Sequence, residues 1–393
     1  MQPWSRVLLL VVSIATVVLN LIATADTFTA VDHERKTIYH SPQTPGYTCW
    51  VGAWVMPDGS AMVSFTQATG PIDGRPQAPL DVQKKLNWPP AGHPAYDMTG
   101  LDLHNVHLRS TDFGRTWEKV SADPFQSCMN GVYGEAETAL PDGSILRAAC
   151  GYYLPYNPDL PKTGYLERST DRSKTWGKPE IPLPAEKYST YLKRIRVLRD
   201  GRVIVTGGVA QVPANSLSRE DYSKHFEPLL IVSNDKGKTW SKPIPVVPVE
   251  FRKNWGGEEF DIAELPTGDL LCVFRRMVPE QKAEARWQGI LKKSGESWTP
   301  GVVVPAPFPH SGHPELLATQ EGPILHLATS GVHYTSDAGE SWQMLDVPGT
   351  AYYPRAIQMP DGQILVFAHV GSDDPYGAVD QSIVMDSFRL KPK

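Results

Sequence analysis

The sequence is poor in cysteine and has no excess of positive charge. Its 393 residues contain four cysteines, none of them in a Cys-x-x-Cys pair, and this argues against the commonest zinc and redox motifs. The 38 basic residues are outnumbered by 43 acidic ones, which argues against a nucleic acid as partner. The sequence also lacks a glycine-rich nucleotide loop and a metal-ligand motif. We therefore expect no cofactor and no metal.

Helical periodicity is also lacking after residue 26, and one long apolar run precedes it. MQPWSRVLLLVVSIATVVLNLIATA (1–25) has one basic residue, Arg6, then the apolar run, then Ala23-Thr24-Ala25. This predicts a cleaved signal peptide and a secreted or periplasmic protein without a membrane span after cleavage; a retained anchor is the alternative. In an oxidising compartment Cys128 and Cys150, which flank one predicted hairpin, are our preferred disulfide pair, although sequence alone leaves the pairing open.

A hairpin pattern recurs six times along the rest of the chain. Each copy places a glycine turn, commonly Pro-Asp-Gly, between two short apolar runs, which predicts a β-hairpin. The copies are WVMPDGSAMVSF (54–65), TALPDGSILRAA (138–149), RVLRDGRVIVTG (196–207), AELPTGDLLCVF (263–274), LATQEGPILHLA (317–328) and IQMPDGQILVFA (357–368).

An octapeptide repeat follows every hairpin but the last. The copies are STDFGRTW (110–117), STDRSKTW (169–176), SNDKGKTW (233–240), the degenerate LKKSGESW (291–298) and TSDAGESW (335–342). The Asp and Ser/Thr side chains can hydrogen-bond the backbone of their own turn, and the Trp can pack between sheets. We therefore interpret Asp112, Asp171, Asp235 and Asp337 as structural, and we expect Trp117, Trp176, Trp240 and Trp342 to be buried.

The two alternating signals predict the architecture. A hairpin followed by a second hairpin signal makes a four-stranded unit, and six such units must stack radially to bury their faces. This predicts an all-β fold, a six-bladed β-propeller of four-stranded antiparallel blades, over residues 26–393. The last unit lacks a closing strand, and TFTAVDHERKTIYHS (27–41) at the other end is an orphan strand-like segment. Pairing these two termini in one blade closes the ring.

The octapeptides resemble the Asp-box of the sialidase (neuraminidase) superfamily, and six is the blade number of that family. The resemblance extends over essentially the whole chain after residue 25. In that family the boxes lie at the blade periphery, away from the active site, so the resemblance implies an architectural role for the octapeptides here.

The hairpin repeat also predicts which side chains converge on the propeller axis. Seven residues before the turn position, where the innermost strand begins, the chain has Trp50, Gly134, Leu192, Glu259, His313 and Tyr353. Five residues before it, on the same strand face, the chain has Gly52, Ala136, Arg194, Asp261, Glu315 and Arg355. Charged groups are costly there unless paired or solvated, so they indicate a site; a paired ion network lining the channel is the structural alternative.

Two segments resemble the catalytic stretches of sialidases. EFDIAELPTGDLLCVFR (259–275) is similar to the stretch in which a Glu assists the nucleophile and an Arg holds the substrate carboxylate, which implies these roles for Glu259 and Arg275. YYPRAIQMPDG (352–362) is similar to the segment of the nucleophilic tyrosine, here Tyr353. The family places its general acid shortly before the first Asp-box, which implies Asp97, with Asp102 as the less favoured alternative.

The sequence departs from the family pattern at two arginines that hold the substrate carboxylate. GYTCWVGAW (46–54) and LATSGVHYTSDAGESW (327–342) lack them. An arginine triad binds a carboxylate through charge-assisted hydrogen bonds. We therefore expect Arg194, Arg276 or Arg355 to supplement Arg275, and the substrate to be sialic acid or another acidic sugar.

Three functional hypotheses follow, each with a glycan as partner. The first is a secreted, monomeric exo-glycosidase that cleaves a terminal acidic sugar, with Tyr353 as nucleophile, Glu259 as its base and Asp97 as acid. The second is a lyase or hydrolase for uronate-linked glycans of the rhamnose-glucuronate type, based on His313 with His104 or His107. The third is a non-catalytic carbohydrate-binding propeller, because a fold does not determine function.

Overall fold

The computed structural model describes residues 27–43, 47–71, 73–86, 99–124, 136–149, 163–214, 225–252, 255, 259–278, 283–309, 312–370 and 381–393. The strands are β1 (Phe28–His40), β2 (Tyr47–Val55), β3 (Ala61–Thr69), β4 (Asp102–Ser110), β5 (Glu118–Pro124), β6 (Glu137–Ala139), β7 (Ile145–Ala149), β8 (Tyr165–Ser169), β9 (Ser189–Val197), β10 (Val203–Ala210), β11 (Glu227–Ser233), β12 (Ile244–Pro245), β13 (Phe260–Glu264), β14 (Leu270–Val278), β15 (Ala283–Ser294), β16 (Ser297–Pro305), β17 (Glu315–Ala318), β18 (Ile324–Ala328), β19 (Gly331–Thr335), β20 (Gln343–Met344), β21 (Tyr352–Gln358), β22 (Ile364–Val370) and β23 (Ser382–Pro392). The short helices α1 (Leu80–Leu86) and α2 (Val249–Arg252) lie in connections between strands. Among the described residues, no helix combines the length and the apolar character needed to cross a membrane.

The strands form six antiparallel sheets, which are the blades of a propeller. Blade 1 is β2–β5, blade 2 is β6–β8, blade 3 is β9–β12, blade 4 is β13–β16, blade 5 is β17–β20, and blade 6 is β21–β23 with β1. In the described part of blade 2 three strands are present, and a bridge between Leu166 and Glu180 adds a further segment beside β8. The predicted all-β six-bladed fold is confirmed.

The two ends of the chain share blade 6, as predicted. β1 pairs with β23 along its whole length, from Phe28 opposite Pro392 to His40 opposite Ser382. Without this pairing, β23 would leave a long row of unpaired backbone groups at the sheet edge, and β1 would have no partner. The ring is thus closed by hydrogen bonds between segments from opposite ends of the sequence.

The apolar core is divided into clusters, each of which lies between two adjacent blades. Successive side chains on a strand point to opposite faces, so one strand contributes to two clusters. In β14, Leu270, Cys272 and Phe274 pack toward blade 3, whereas Leu271 and Val273 pack toward blade 5. Strands buried on both faces explain why the repeated hairpins are apolar in nearly consecutive residues rather than alternately.

The octapeptides form tight turns held by their own side chains. Asp112 accepts hydrogen bonds from Ser110 Oγ (2.8 Å), the Thr116 backbone N–H (2.9 Å) and Thr116 Oγ1 (2.6 Å). The same contacts recur around Asp171, Asp235 and Asp337. The aspartates therefore act on the conformation of their own turns.

The expectation that the octapeptide tryptophans are buried is wrong in degree. Trp117, Trp176, Trp240 and Trp342 are all only partly buried. Each octapeptide turn lies at the outer part of a blade. One side of the indole ring therefore packs against neighbouring side chains, and the other side remains accessible to solvent. Trp342, for example, packs edge-on against Phe308 with ring centroids 5.2 Å apart. By contrast Trp298, in the degenerate copy, is 3% exposed.

Candidate functional site

The innermost strands begin at one end of the propeller. β2 contacts both β6 and β21, and β17 contacts both β13 and β21, so these strands surround the axis. We call the end at which each innermost strand begins its leading end, and the strand runs from there toward a hairpin turn. Because the strands of a blade are antiparallel, the octapeptides lie at the same end of the blade as these turns. There Asp58 of a hairpin turn contacts Arg109 and Arg172. The leading ends, where polar side chains converge, are therefore separated from the octapeptides by the length of a strand.

Two aromatic residues at the leading ends have backbone torsions that non-glycine residues rarely adopt. Trp50 in β2 and Tyr353 in β21 both have a φ of 53°. Both lie in β-bulges, where the pairing register shifts. A left-handed conformation of this kind costs about 1–3 kcal/mol and occurs preferentially at functional sites, and bulges re-aim side chains. The strain at Trp50 and Tyr353, together with the polar side chains that converge there, makes this end of the axis the candidate site.

Tyr353, Arg275 and Glu259 lie together at this end, from three different strand positions. Arg275 Nη1 donates a hydrogen bond to Glu259 Oε2 (2.7 Å) and another to the Tyr353 hydroxyl oxygen (3.1 Å). The arginine therefore bridges the carboxylate and the phenol, whereas the sequence had predicted Glu259 as the partner of the phenol. We call Lys193, Glu259, Arg275, Arg286 and Tyr353 the mouth cluster.

Glu259 is held as a carboxylate by two cations. Lys193 Nζ lies 3.3 Å from its Oε1, opposite the contact with Arg275. Burial by itself would raise the pKa of Glu259, but the charges of Arg275 and Lys193 outweigh it and hold that pKa well below its usual value. Glu259 is therefore ionised at neutral pH.

Arg286 adds a third cation to the mouth cluster. It is directly opposite Arg275 in the pairing of β14 with β15, so the two side chains share a sheet face. Arg286 is 2% exposed. Burial, reinforced by the like charge of Arg275, lowers its pKa to about 9, although Glu259 and Tyr353 act in the opposite direction. Adjacent arginines of this kind favour an anion as ligand.

The Tyr353 ring is fixed by its aromatic neighbours. Tyr352 packs edge-on at a centroid distance of 4.6 Å, and His369 is stacked at 6.0 Å. A Cβ atom added to Gly312, which has a φ of +52°, would lie 3.3 Å from the Tyr353 ring. The chain thus approaches the ring closely where glycine is present, and the phenol oxygen is left in a defined position beside Arg275.

A second set of charged residues lies one layer deeper along the axis, and it is internally paired. Arg194 Nη1 contacts Asp261 Oδ2 (2.9 Å) and also Glu315 Oε2. Arg355 Nη1 contacts the same Glu315 oxygen at 2.9 Å, and Arg196 Nε contacts Asp261 Oδ1 at 3.0 Å. We call these five residues the axial ion network. Arg194 and Arg355, predicted to bind substrate, thus belong to the paired network that was the structural alternative.

His313, which has the same offset from its turn as Glu259 and Tyr353, is fully buried. Its Nδ1 lies 2.9 Å from the carbonyl oxygen of Pro314, and because a carbonyl only accepts, Nδ1 carries the proton. Nε2 has no hydrogen-bond partner among the described residues. Burial and the charge of Arg194 hold the His313 pKa well below its usual value. The imidazole is therefore neutral, with a lone pair on Nε2.

The remaining predicted site residues are elsewhere or outside the described residues. Arg276 is next to Arg275 in β14 and points to the opposite face, where its guanidinium carbon lies 4.5 Å from the ring centroid of Trp287 and 5.1 Å from that of Trp255. The structure does not bring it to the mouth cluster. Asp97 lies outside the described residues, as do Cys128 and Cys150.

Asp102 and His107, two of the alternative residues named for blade 1, are not at the mouth cluster either. Asp102, at the start of β4, is exposed. His107 lies between blades 1 and 2, with Nε2 2.9 Å from Glu137 Oε2 and Nδ1 3.0 Å from Ser121 Oγ. It therefore belongs to a contact between blades.

Sequence reasoning missed two members of the mouth cluster, Lys193 and Arg286. Lys193 lies between Leu192 and Arg194, which are both predicted to point toward the axis. Strict alternation along the strand therefore predicts that Lys193 points away from the axis. Arg286 is on β15, which no hairpin offset describes, and only its register with Arg275 brings it to the site. The pair of glycines at 207–208, opposite Leu192 and Tyr191, is a sequence signal for a bulge.

No family model matches the chain, and no curated protein matches it. Among solved structures, a protein of unknown function from Dyadobacter fermentans has a TM-score of 0.61 at 19% identity and covers 93% of this chain and 99% of its own. An α-L-arabinofuranosidase of Fusarium graminearum has a TM-score of 0.59 at 14% identity, with 90% and 97% covered. The NanB sialidase of Streptococcus pneumoniae has a TM-score of 0.57 at 13% identity, with 89% and 70% covered. At these identities the likeness concerns the fold alone, and the chain has the fold of a sialidase-like six-bladed propeller.

Proposed function

We propose that the chain is a glycosidase that removes a terminal acidic sugar, sialic acid or a related sugar acid, from a glycan. The observation that carries the proposal is the position of Arg275 between Glu259 and the Tyr353 hydroxyl. A phenol, a carboxylate and buried cations at the leading ends of propeller strands are the groups that a tyrosine-based glycosidase needs. The structural likeness to an arabinofuranosidase and to a sialidase supports a glycosidase in general.

In the proposed reaction, Tyr353 attacks the anomeric carbon of the sugar. The phenol must first lose its proton, because a neutral phenol is a poor nucleophile. Glu259 accepts this proton, and the charges of Arg275 and Arg286 stabilise the phenolate. The bond to the leaving group breaks as its oxygen takes a proton from a general acid, for which Asp97 is the proposed residue. Water, which gives a proton to the Asp97 carboxylate, then attacks the anomeric carbon and breaks its bond to Tyr353, whose oxygen takes back the proton from Glu259.

The charge of the mouth cluster supports an acidic substrate. Arg275 and Arg286 share one sheet face, and Lys193 adds a third positive charge, whereas Glu259 is the one carboxylate of the cluster. A carboxylate on the sugar would lie against the two guanidinium groups. In this proposal Arg194 and Arg355 support the site from the axial ion network and leave substrate binding to Arg275 and Arg286.

A lyase for uronate-linked glycans is the second candidate, and one observation favours it. The neutral His313, with its lone pair on Nε2, is a base beside the cations that would neutralise a uronate. Its complete burial weighs against it, since a base must reach the proton it removes.

The experiment is a screen of the purified protein against matched substrates. Aryl sialosides and oligosaccharides capped with uronic acid are compared with aryl arabinofuranosides and uncharged hexosides. The proposal expects release of the aryl group or the terminal sugar from acidic substrates at least about 100-fold faster than from neutral ones, roughly 2.7 kcal/mol in the barrier. Preference for a neutral sugar contradicts the acid specificity. An unsaturated product supports the lyase.

We also propose that the protein is exported and that residues 1–25 are removed. The run of apolar residues before Ala23-Thr24-Ala25 supports this. Amino-terminal sequencing of the protein recovered from the periplasm or medium of a bacterial expression host tests it. A chain that begins near residue 26 is expected, and retention of Met1 in a membrane fraction contradicts the proposal.

A further inference from the structure

Lys193 reaches the mouth cluster through an irregularity in β9. It stands between Leu192 and Arg194, and in a regular strand it would point to the face opposite theirs. In the structure Leu192 pairs with Gly207 and Arg194 pairs with Thr206, which leaves Lys193 as the extra residue of a β-bulge. The bulge turns the Lys193 side chain toward the axis, although an alternating strand would point it to the other face. Its Nζ lies 3.3 Å from Glu259 Oε1.

This bulge depends on a glycine in the facing strand. A Cβ atom at Gly207 would lie 2.0 Å from the carbonyl oxygen of Tyr191, which no side chain tolerates. The backbone of β9 therefore approaches β10 more closely than any other residue permits. Gly207 and Lys193 act together, since the glycine allows the path of the backbone that brings the ammonium to Glu259.

A lysine in this position is expensive for folding. Its side chain is 3% exposed, and burying an ammonium group costs several kcal/mol unless it is paired. The Tyr191 ring, whose centroid lies 4.9 Å from Nζ, and the Glu259 carboxylate offset part of this cost. An apolar side chain would fill the same space without the cost, so packing alone does not explain the lysine.

We propose that Lys193 is a positioning residue of the mouth cluster, which holds the Glu259 carboxylate oriented toward Arg275 and so sets the charge that the Tyr353 hydroxyl experiences. The inference rests on the proposed function for its catalytic consequence. The contact itself does not depend on it. Lys193 meets one oxygen of Glu259 and Arg275 meets the other, so the carboxylate is gripped from two blades.

The effect of removing Lys193 follows from the groups that face Glu259. These are Lys193 from β9, Arg275 from β14, Arg286 from β15, His313 from the segment before β17 and Tyr353 from β21. The positive charges of Lys193, Arg275 and Arg286 favour the ionised carboxylate. An opposite charge within hydrogen-bonding range lowers a carboxyl pKa by about 1–3 units, so loss of Lys193 raises the pKa of Glu259.

The kinetic test compares pH profiles of the wild type, Lys193→Met, Lys193→Arg and Gly207→Ala on the acidic sugar found active in the screen. The acid limb of the profile is the range in which activity falls as the pH decreases. In Lys193→Met the midpoint of this limb should lie about one pH unit or more above that of the wild type, because Glu259 becomes protonated at a higher pH. Lys193→Arg should keep the acid limb near its wild-type position even if its rate is lower. Gly207→Ala should resemble Lys193→Met. Lys174→Met, at an exposed octapeptide lysine, is the matched control.

A second measurement judges the contact without any substrate. Unfolding by denaturant is measured for wild type, Lys193→Met, Glu259→Gln and the double variant, and the two single effects should fail to add, with the double variant less destabilised than their sum. Additive effects, or an acid limb in Lys193→Met that coincides with the wild type, would overturn the inference. If no glycan is turned over, the proposed function fails, while the double-variant cycle still decides whether Lys193 positions Glu259.

Discussion

Arg275 Nη1 lies 3.1 Å from the hydroxyl oxygen of Tyr353, and this contact joins blade 4 to blade 6 across the propeller axis. The two residues are 78 positions apart in the sequence. A guanidinium that donates to a phenol oxygen stabilises negative charge on that oxygen. The contact therefore gives the Tyr353 hydroxyl a cationic hydrogen-bond donor from another blade.

Replacement of the proposed nucleophile should separate catalysis from folding. Tyr353→Phe removes one oxygen and keeps the ring between Tyr352 and His369. We expect kcat to fall at least about a thousandfold, with KM and the melting temperature nearly unchanged. Tyr188→Phe, at a partly buried tyrosine in the apolar cluster between blades 2 and 3, is the control and should retain full activity. Full activity in Tyr353→Phe contradicts the tyrosine mechanism.

His313→Ala distinguishes the hydrolase from the lyase. For a glycosidase based on Tyr353, we expect a change of no more than about tenfold in kcat, since the imidazole is neutral and its Nδ1 hydrogen bond is to the carbonyl oxygen of Pro314. For a lyase based on His313, activity should be lost and ultraviolet absorbance of an unsaturated product should disappear with it. Activity is measured on the same substrate as for Tyr353→Phe, with the amount of folded protein checked by circular dichroism.

The axial ion network should matter for stability more than any surface pair. Asp261 is fully buried and accepts hydrogen bonds from Arg194, Arg196 and the backbone N–H of Leu316. Asp261→Asn leaves three guanidinium groups with Glu315 as the one carboxylate of the network, and we expect a loss of about 3–5 kcal/mol in the free energy of unfolding, measured by denaturant titration.

The control for this loss is Asp361→Asn. Asp361 pairs with Arg389 at the surface, where both side chains are about one third exposed, and a loss of no more than about 1 kcal/mol is expected. Equal losses in the two variants would show that the axial ion network contributes no more than a surface pair.

The octapeptide aspartates should make the fold sensitive to acid. Hydrogen bonds from Thr116 lower the pKa of Asp112 to about 2, and those from Thr175 lower the pKa of Asp171 to about 2. Since the folded-state pKa lies below the unfolded value of about 3.9, this stabilisation is present above about pH 4 and is lost as the pH falls toward 2. Thermal melting between pH 6 and pH 2.5 should show a smaller pH dependence in Asp112→Asn than in the wild type. Identical pH dependence would exclude this role.

Tryptophan burial predicts a difference between two octapeptide copies. Trp298 is 3% exposed and its Nε1 donates to Gly268 O at 2.9 Å, so Trp298→Ala should cost about 3–5 kcal/mol through cavity formation. Trp342 is partly exposed, so Trp342→Ala should lower the free energy of unfolding by clearly less. Denaturant unfolding of both variants checks the order, and a larger loss for Trp342→Ala would contradict the effect of burial.

The repeats alone predicted the architecture and part of the candidate site. Six hairpins with Gly turns imply six blades, and the orphan segment 27–41 implies the closure through β1, because each of these conclusions needs only local turn chemistry and the need to bury strand faces. Equal offsets from equivalent turns also led to Glu259 and Tyr353, because equivalent strand positions lie at equivalent heights along the axis. The role of each remains a prediction.

Only the tertiary structure decided which charged residues pair with each other and which form the mouth cluster. The sequence predicted that Arg194 and Arg355 bind substrate. Contacts with Asp261 and Glu315 from other blades instead place them in the axial ion network. Lys193 and Arg286 were missed because a bulge and a cross-strand register, neither of which is a property of one segment, direct them to the site. Local sequence determines turns and strand faces, whereas the pairing of charges between blades depends on the distances that ring closure imposes.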